Sequence, residues 1–425
     1  MGAQVEGRNT ARFGLQQATF QTEFSAFVAF IGGTELDKVM RKVAQKLRPL
    51  GPQARSLYGD RYYFHQQFEV FTFGAAPFQL DTTSLPAVRA ASLIAGINRL
   101  RTSLSASGAA RLRSMVIDNL QPDRDVRQIE HEIRSYTHLG QKGFRVTFAD
   151  LEGLGNFDLL LERASERIEV ECKTVTEDTG SQIKVDLNVE LSETFRRTVS
   201  EREIVKRSGL FLMTLNRPSS SCGRLAAQLA NALQSESATH LDVPDFSLRF
   251  SERSSWQQLL DAGKVTDVRQ QVRGDPEIGA DAHCVTKVRN QIIGLVVRPH
   301  KPPALNSRVV SVIKEAADQC SGDHPCVVWL HFVGMAEGFF LELAQFSSDG
   351  SGRGLNVTVA NALHPDASST DRTHVVKVRF SADPDSLTSH PALRPDLLIG
   401  HAVSAGGLLY DVPNPYCRFK VEHSL

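Results

Sequence analysis

The stretch FDLLLERASERIEVECKTV, residues 157–175, constrains this 425-residue chain more than any other. Apolar and polar side chains alternate through much of it with a period of two on either side of Ala164 and Ser165, Leu160 falling on the polar face. That is the pattern of an antiparallel hairpin closed by a two-residue turn. A turn centred there pairs Leu159 with Val170 and sets Asp158 directly opposite Glu171. Phe157, Leu159, Leu161, Ile168, Val170 and Cys172 then share one apolar face, which must be the core side. Asp158, Leu160 and Glu162 take the other, opposite Glu171, Glu169 and Arg167, with Lys173 two positions beyond Glu171.

Directly opposed residues in such a ladder hold their Cβ atoms about 4.5–5.5 Å apart, where two like charges destabilise the sheet. Asp158 facing Glu171 therefore asks for compensation. A hard divalent cation supplies it, because Mg²⁺ is held by one or two carboxylates together with waters and phosphate oxygens. Lys173, on the same face, would stabilise charge or orient an attacking water.

The neighbouring segments have a definite order. VRQIEHEIRSYTHLGQKG reads as a helix ending in Gly, GFRVTFA as a strand and DLEGLGN as a loop before the hairpin. LSETFRRTVSEREIVKR then reads as a helix and GLFLMTL as a strand, giving α-β-β-β-α-β. In the first helix Val126, Ile129, Ile133, Tyr136 and Leu139 share one arc; Glu132 lies inside it and Glu130 outside. A glutamate in an apolar arc is costly unless its charge is satisfied.

Asp158, followed on the next strand by Glu171-Cys172-Lys173 within that element order, resembles the PD-(D/E)xK nuclease superfamily. The resemblance spans roughly residues 125–215 and rests on a short motif. It implies an α/β (α+β) protein with a restriction-endonuclease-like αβββαβ core around a central mixed sheet. It implies Mg²⁺ or Mn²⁺ held by Asp158, Glu171 and the main-chain carbonyl of Cys172, with Glu132 as an accessory ligand and Lys173 assisting the water nucleophile. Phe157 stands where the motif has proline, a position that shapes the strand and binds no metal.

The implied function is metal-dependent hydrolysis of nucleic-acid phosphodiester bonds, as a DNA endonuclease of restriction, defence or repair. A rival of another class is a nuclease-like fold that only binds nucleic acid or protein, marked by metal-independent binding without turnover. The plainest alternative, a structural ladder neutralised by Arg167 and Lys173, must treat the opposed acids, the helix glutamate and the element order as three coincidences.

The flanks carry no comparable chemistry. Residues 1–115 read as an α+β region, with an amphipathic helix over 34–50, RYYFHQQFEVFTF as a strand and SLPAVRAASLIAGINRLRTSL as a helix. Residues 116–217 hold the core and 218–425 a C-terminal α/β region. A second helix and strand, SRVVSVIKEAADQ and PCVVWLHF, compete to complete the core through residues 306–332, which would make 176–305 an insertion. Both candidate strands are apolar runs, and the sequence leaves the choice open.

Composition narrows the partners. With 41% hydrophobic and 23% charged residues and net charge zero, the chain is of globular type and lacks an overall electrostatic pull on phosphates. Nucleic-acid contact must then use local patches. Arg196, Arg197 and Lys206, with Gln182 before their helix, are the candidates, and a solvated helix face fits the same charges. Arg99, Arg101, Arg111 and Arg113 offer a similar choice. Protein partners would use the flanking regions.

The six cysteines form no CxxC pair. Cys320, His324 and Cys326 lack a fourth zinc ligand at paired spacing and read as buried cysteines and a loop histidine. With no secretory or membrane-spanning segment recognised, the expected compartment is the cytoplasm and no membrane is a partner. The oligomeric state is not legible.

Overall fold

The structure is a computed structural model that describes residues 17–51, 55, 58–73, 84–176, 178–181, 183–201, 207–217, 221–234, 239–278, 282–301, 305–333, 354–365, 371–382 and 408–419. The chain is mixed α and β, with two mixed sheets. It divides into two compact units, Met1–Arg48 with Gly59–Thr176 and Asn306–Leu425, and Pro49–Tyr58 with Glu177–Leu305.

The first unit begins with six helices: α1 (Gln17–Ile31), α2 (Gly33–Leu47), α3 (Tyr63–Phe73), α4 (Leu85–Ser103), α5 (Ala106–Asn119) and α6 (Val126–Gln141). The segment RYYFHQQFEVFTF, read from sequence as a strand, is helical from Tyr63 on, as α3. Its aromatic content favours strands, but Phe64, Phe68 and Phe71 are buried at helical spacing while Glu69 and Val70 are exposed. The described part of residues 1–115 thus contains helices and no strand.

Asp125 starts α6, its carboxylate accepting the Arg127 amide at 3.1 Å. Gly96 on α4 sets how closely α6 approaches, since a Cβ there would lie 2.4 Å from Cγ2 of Ile133. After α6 come β1 (Arg145–Phe148), the short helix α7 (Ala149–Glu152), β2 (Leu159–Arg163) and β3 (Glu166–Thr176). These strands form an antiparallel meander. β2 and β3 pair Leu159 with Val170, Leu161 with Ile168 and Arg163 with Glu166, the register that the alternation predicts. Asp158, just before β2, precedes the first paired residue of that ladder and is tied to β3 by bonds with Glu171 and Cys172.

Beyond β3 the chain runs through the second unit before returning as α12 (Leu305–Gln319) and β9 (Cys326–Val333). β9 lies parallel to β3, with Cys172 beside Trp329 and Lys173 beside Leu330. It continues to α13 (Leu355–Leu363), β10 (Val375–Ala382) and β11 (Leu408–Pro413), giving the order β1-β2-β3-β9-β10-β11. The helix and strand over 185–215, placed in the core by the 116–217 reading, therefore lie in the other unit. The neighbour of β3 is β9, because a parallel pairing is made by a distant segment that local periodicity does not register.

Leu159, Leu161, Ile168, Val170 and Cys172 face one large core with Val327, Trp329 and residues from α1 and α3–α6. The opposite face is covered too at β3, where Glu169 is 1% and Glu171 0% exposed. Glu169 is satisfied by the Ser321 amide at 2.8 Å and by the Ser321 hydroxyl. Cys320 and Cys326, read from sequence as separate buried cysteines, are joined in a disulfide, so neither thiol is available to zinc.

The second unit contains α8 (Val185–Glu201), β4 (Gly209–Leu215), α9 (Cys222–Gln234), β5 (His240–Asp242), β6 (Phe246–Glu252), α10 (Ser254–Asp261), α11 (Val265–Arg273), β7 (Ala282–Val288) and β8 (Gln291–Arg298). Its sheet order is β5-β6-β4-β8-β7, parallel only at β4–β8. β4 alternates between two cores: Phe211 and Met213 meet Phe195 and Leu229, whereas Leu210 and Leu212 meet Trp256 and Leu260.

Candidate active site

The site stands where β2 begins and β3 continues. Cys172 donates its amide to Oδ2 of Asp158 at 2.7 Å, and Asp158 donates its own amide to Oε2 of Glu171 at 3.2 Å. Each carboxylate thus takes one backbone N–H from the other strand. Lys173 adds a third donor, its Nζ lying 2.5 Å from Oε1 of Glu171. The N–H and C=O of one strand residue point the same way, so the Cys172 carbonyl also faces the Asp158 side of β3.

These donors do not offset the repulsion. Burial and the Glu171 charge hold the Asp158 carboxyl well above the usual range, despite the Cys172 amide and Lys173. Burial also raises Glu171, against the pull of Lys173. For Lys173, burial favours the neutral amine, but the charges of Glu171, Asp158 and Glu132 outweigh it and keep the ammonium firmly protonated. The site is short of positive charge.

Glu132 and Glu130 have different surroundings. Glu130 accepts from the Tyr63 hydroxyl at 2.9 Å and from Nε and Nη2 of Arg89 at 3.0 and 2.7 Å, a structural pairing among α3, α4 and α6. Glu132 is 6% exposed and feels Asp158, Asp150, Glu171 and Lys173; burial, then those acids, push its carboxyl well up. Asp158, Glu171, Cys172 and Lys173 are thus joined by hydrogen bonds, and Glu132 lies within electrostatic reach of them.

Asp150 joins them, and the sequence reading did not single it out. It lies in α7, where its Oδ1 accepts the Leu151 amide at 2.7 Å, and burial raises its carboxyl. The signal lay in a second register: β1 pairs Phe148 with Leu159, which carries the next residues, Ala149 and Asp150, alongside Asp158. The Ala149 amide donates to the Asp158 carbonyl at 2.8 Å. Arg111 of α5 holds this turn from outside, donating to the carbonyls of Leu151 at 3.1 Å and Asp150 at 3.3 Å.

Of the proposed phosphate contacts, two lie among the described residues. Arg196 and Arg197 lie on α8 in the second unit, and Arg196 is paired with Glu193 at 3.0 Å. Gln182 and Lys206 lie outside the described residues. Among the described residues of the 99–113 helices, Arg101 and Arg113 donate to the carbonyls of Ala26 and Ile31.

Donor chemistry at Asp158 and Glu171 fits a hard divalent cation: buried carboxylate oxygens in charge deficit, with a main-chain carbonyl beside them. Among the described residues no three His, Cys, Asp or Glu side chains converge on one point, so water or phosphate oxygens would complete such a shell. Among the described residues no helix is long and apolar enough to cross a membrane. Compared with known proteins, the chain matches no family model, no curated protein and no solved structure.

Proposed function

We propose that the protein is a divalent-metal-dependent phosphodiesterase. More particularly, we assign it as a DNA endonuclease with a PD-(D/E)xK, restriction-endonuclease-like core. The observation that carries this is the reciprocal bonding of Asp158 and Glu171 with Lys173 on the same carboxylate. The order α6, β1, β2, β3, α12, β9, with β3 and β9 parallel, supports it as the arrangement such a core implies.

Asp158, Glu171 and the Cys172 carbonyl would hold Mg²⁺ or Mn²⁺. A bound ion would supply Lewis-acid polarisation of a phosphate oxygen and acidify a water. The protein's own share is positional. The two backbone amides fix both carboxylates before substrate arrives, so little reorganisation is left for the reaction. Lys173, about a quarter exposed and protonated, presents an ammonium to an incoming phosphate or water. The burial of Glu171 keeps bulk water from screening those charges.

A cytoplasmic role in restriction, defence or repair belongs to the same proposal. The Cys320–Cys326 disulfide counts against a reducing compartment, and thiol counting on protein taken from reducing cells tests it.

The function is tested by incubating the full chain with supercoiled, linear and single-stranded DNA, and with RNA, with and without Mg²⁺ or Mn²⁺, beside K173A. Metal-dependent cleavage of DNA, lost in K173A, is expected. Metal-independent binding without turnover would favour a binding module, and absence of binding at low salt would remove the nucleic-acid assignment.

A further inference from the structure

The Cys320–Cys326 disulfide closes the loop that joins α12 to β9, and that loop rests on the strand bearing Glu171 and Lys173. We propose that this disulfide is a thiol-sensitive lock on β3, closed in the working protein and opened by a dithiol reductant. Its effect on catalysis rests on the nuclease reading; its effect on the strand does not.

The coupling runs through Glu169. Cys326 opens β9 between Glu169 of β3 and Val375 of β10, and its amide donates to the His374 carbonyl at 2.9 Å. One end of the loop is thus built into the sheet. From the loop itself, the Ser321 amide donates to Oε2 of Glu169 at 2.8 Å and the Ser321 hydroxyl donates to Oε1. The Glu169 amide in turn donates to the Pro325 carbonyl at 2.8 Å. Among the described residues, Ser321 is the only partner of that carboxylate, in a residue that is 1% exposed.

What else holds the loop lies in water. Ser321 is exposed, and Arg418, which donates to the Gly322 carbonyl and to Asp371 at 3.1 Å, is about half exposed, as is Asp371. Water competes for such bonds and leaves each with a small net worth. The disulfide is the link with which water does not compete, and it fixes the two Cα atoms 6.4 Å apart.

Cys320 follows α12 between exposed Gln319 and Ser321 and is 8% exposed, against 0% for Cys326. A thiolate of the reductant therefore attacks Sγ of Cys320, and Cys326 departs as a thiolate that takes up a proton. The second thiol of the reductant then displaces Cys320, which is protonated in turn, and the reductant leaves as its own disulfide. Once the link is open, Ser321 is free to leave Glu169. A buried carboxylate without donors is costly, so β3 must shift to bring Glu169 to water. Glu171 lies two residues along the same strand and faces the same way, so the site is disturbed with it. In a reducing compartment, disulfides are characteristically transient and redox-sensing, which fits a lock of this kind.

The test is hydrogen exchange by mass spectrometry on the full chain, read in peptides covering residues 166–176. The disulfide is closed with oxidised glutathione, opened with dithiothreitol, or removed in Cys320→Ser/Cys326→Ser, with free thiols counted in each sample. Mg²⁺-dependent cleavage of supercoiled DNA is measured on the same samples. Opening is expected to speed exchange in 166–176 at least ~10-fold and to lower cleavage by a similar factor. The double variant should match the reduced chain and ignore dithiothreitol. Unchanged exchange when the thiol count shows the bond open overturns the proposal, as does a pair that these reagents neither close nor open in the folded chain. Should the double variant fail to fold, as judged by circular dichroism, the reduced and reoxidised wild type decide. A chain whose exchange responds but which cuts no nucleic acid in either state overturns the nuclease reading and keeps the lock; equal cleavage in both states does the reverse.

Discussion

Asp158 and Glu171 each accept a backbone amide contributed by the other's strand, at 2.7 and 3.2 Å, although both are acids and face one another. The two strands are thus joined at the point where their side-chain charges repel. Such an arrangement costs stability and is retained where charge has work to do.

Replacing Asp158 by asparagine keeps an oxygen for the Cys172 amide and removes the repulsion. D158N is expected to lower DNA cleavage at least ~100-fold. Its unfolding temperature in metal-free buffer at pH 7 should rise by ~2 °C, consistent with relief of about 1 kcal/mol. Cleavage at the wild-type rate, measured on supercoiled DNA, would remove Asp158 from the site.

Glu130 and Glu132, two residues apart, should behave in opposite ways. E130A removes the carboxylate that Tyr63 and Nε and Nη2 of Arg89 share, while Asp60 keeps Nη1 of Arg89, and is expected to cost about 1–3 kcal/mol of stability in urea unfolding. E132Q replaces a buried carboxyl whose charged form burial disfavours, so its stability should equal or exceed that of the wild type while cleavage falls. A loss in E132Q as large as that in E130A would show Glu132 to be structural.

His65 is buried, donates from Nε2 to the Leu120 carbonyl at 2.8 Å, and has no partner at Nδ1 among the described residues. Burial lowers its pKa from 6.5 to about 4, so between those values the unfolded chain binds a proton that the folded one refuses. Folding therefore loses stability from this residue as pH falls from about 7 to 4. The raised site carboxylates act in the opposite direction, so the comparison must be with H65Q. Urea unfolding should show the wild type losing up to about 3 kcal/mol relative to H65Q across that range. Parallel pH profiles for the two would contradict the assignment.

Ala164, in the β2–β3 turn, has φ 54°, where a side chain is disfavoured. A164G should stabilise the chain by about 0.5–1 kcal/mol with cleavage unaltered. An unchanged or lower midpoint in urea would show that the turn carries no strain.

The hairpin and its register were legible because period two, a short turn and two opposed acids all reside in nineteen consecutive letters. Glu132 was legible because it interrupts an apolar helical arc. Asp150 required a third strand to be registered, and its own segment, DLEGLGN, shows no periodicity. The neighbour of β3 was not legible: GLFLMTL and CVVWLHFV are both mainly apolar runs, and neither carries a mark of its partner. RYYFHQQFEVFTF misled because strand-favouring residues sit at helix spacing, and tertiary packing decided between them.

The placement of a whole unit between β3 and β9 has a consequence during synthesis. β3 carries Glu171 and Lys173, and its open edge is closed by β9, which emerges from the ribosome ~150 residues later. At 5–20 residues per second, the hairpin waits about 10–30 s with an apolar strand edge unpaired. In that interval the strand bearing the acids is open to pairing with other nascent chains. Slow translation through residues 177–305 lengthens that exposure, so the yield of native protein depends on how fast the second unit is made.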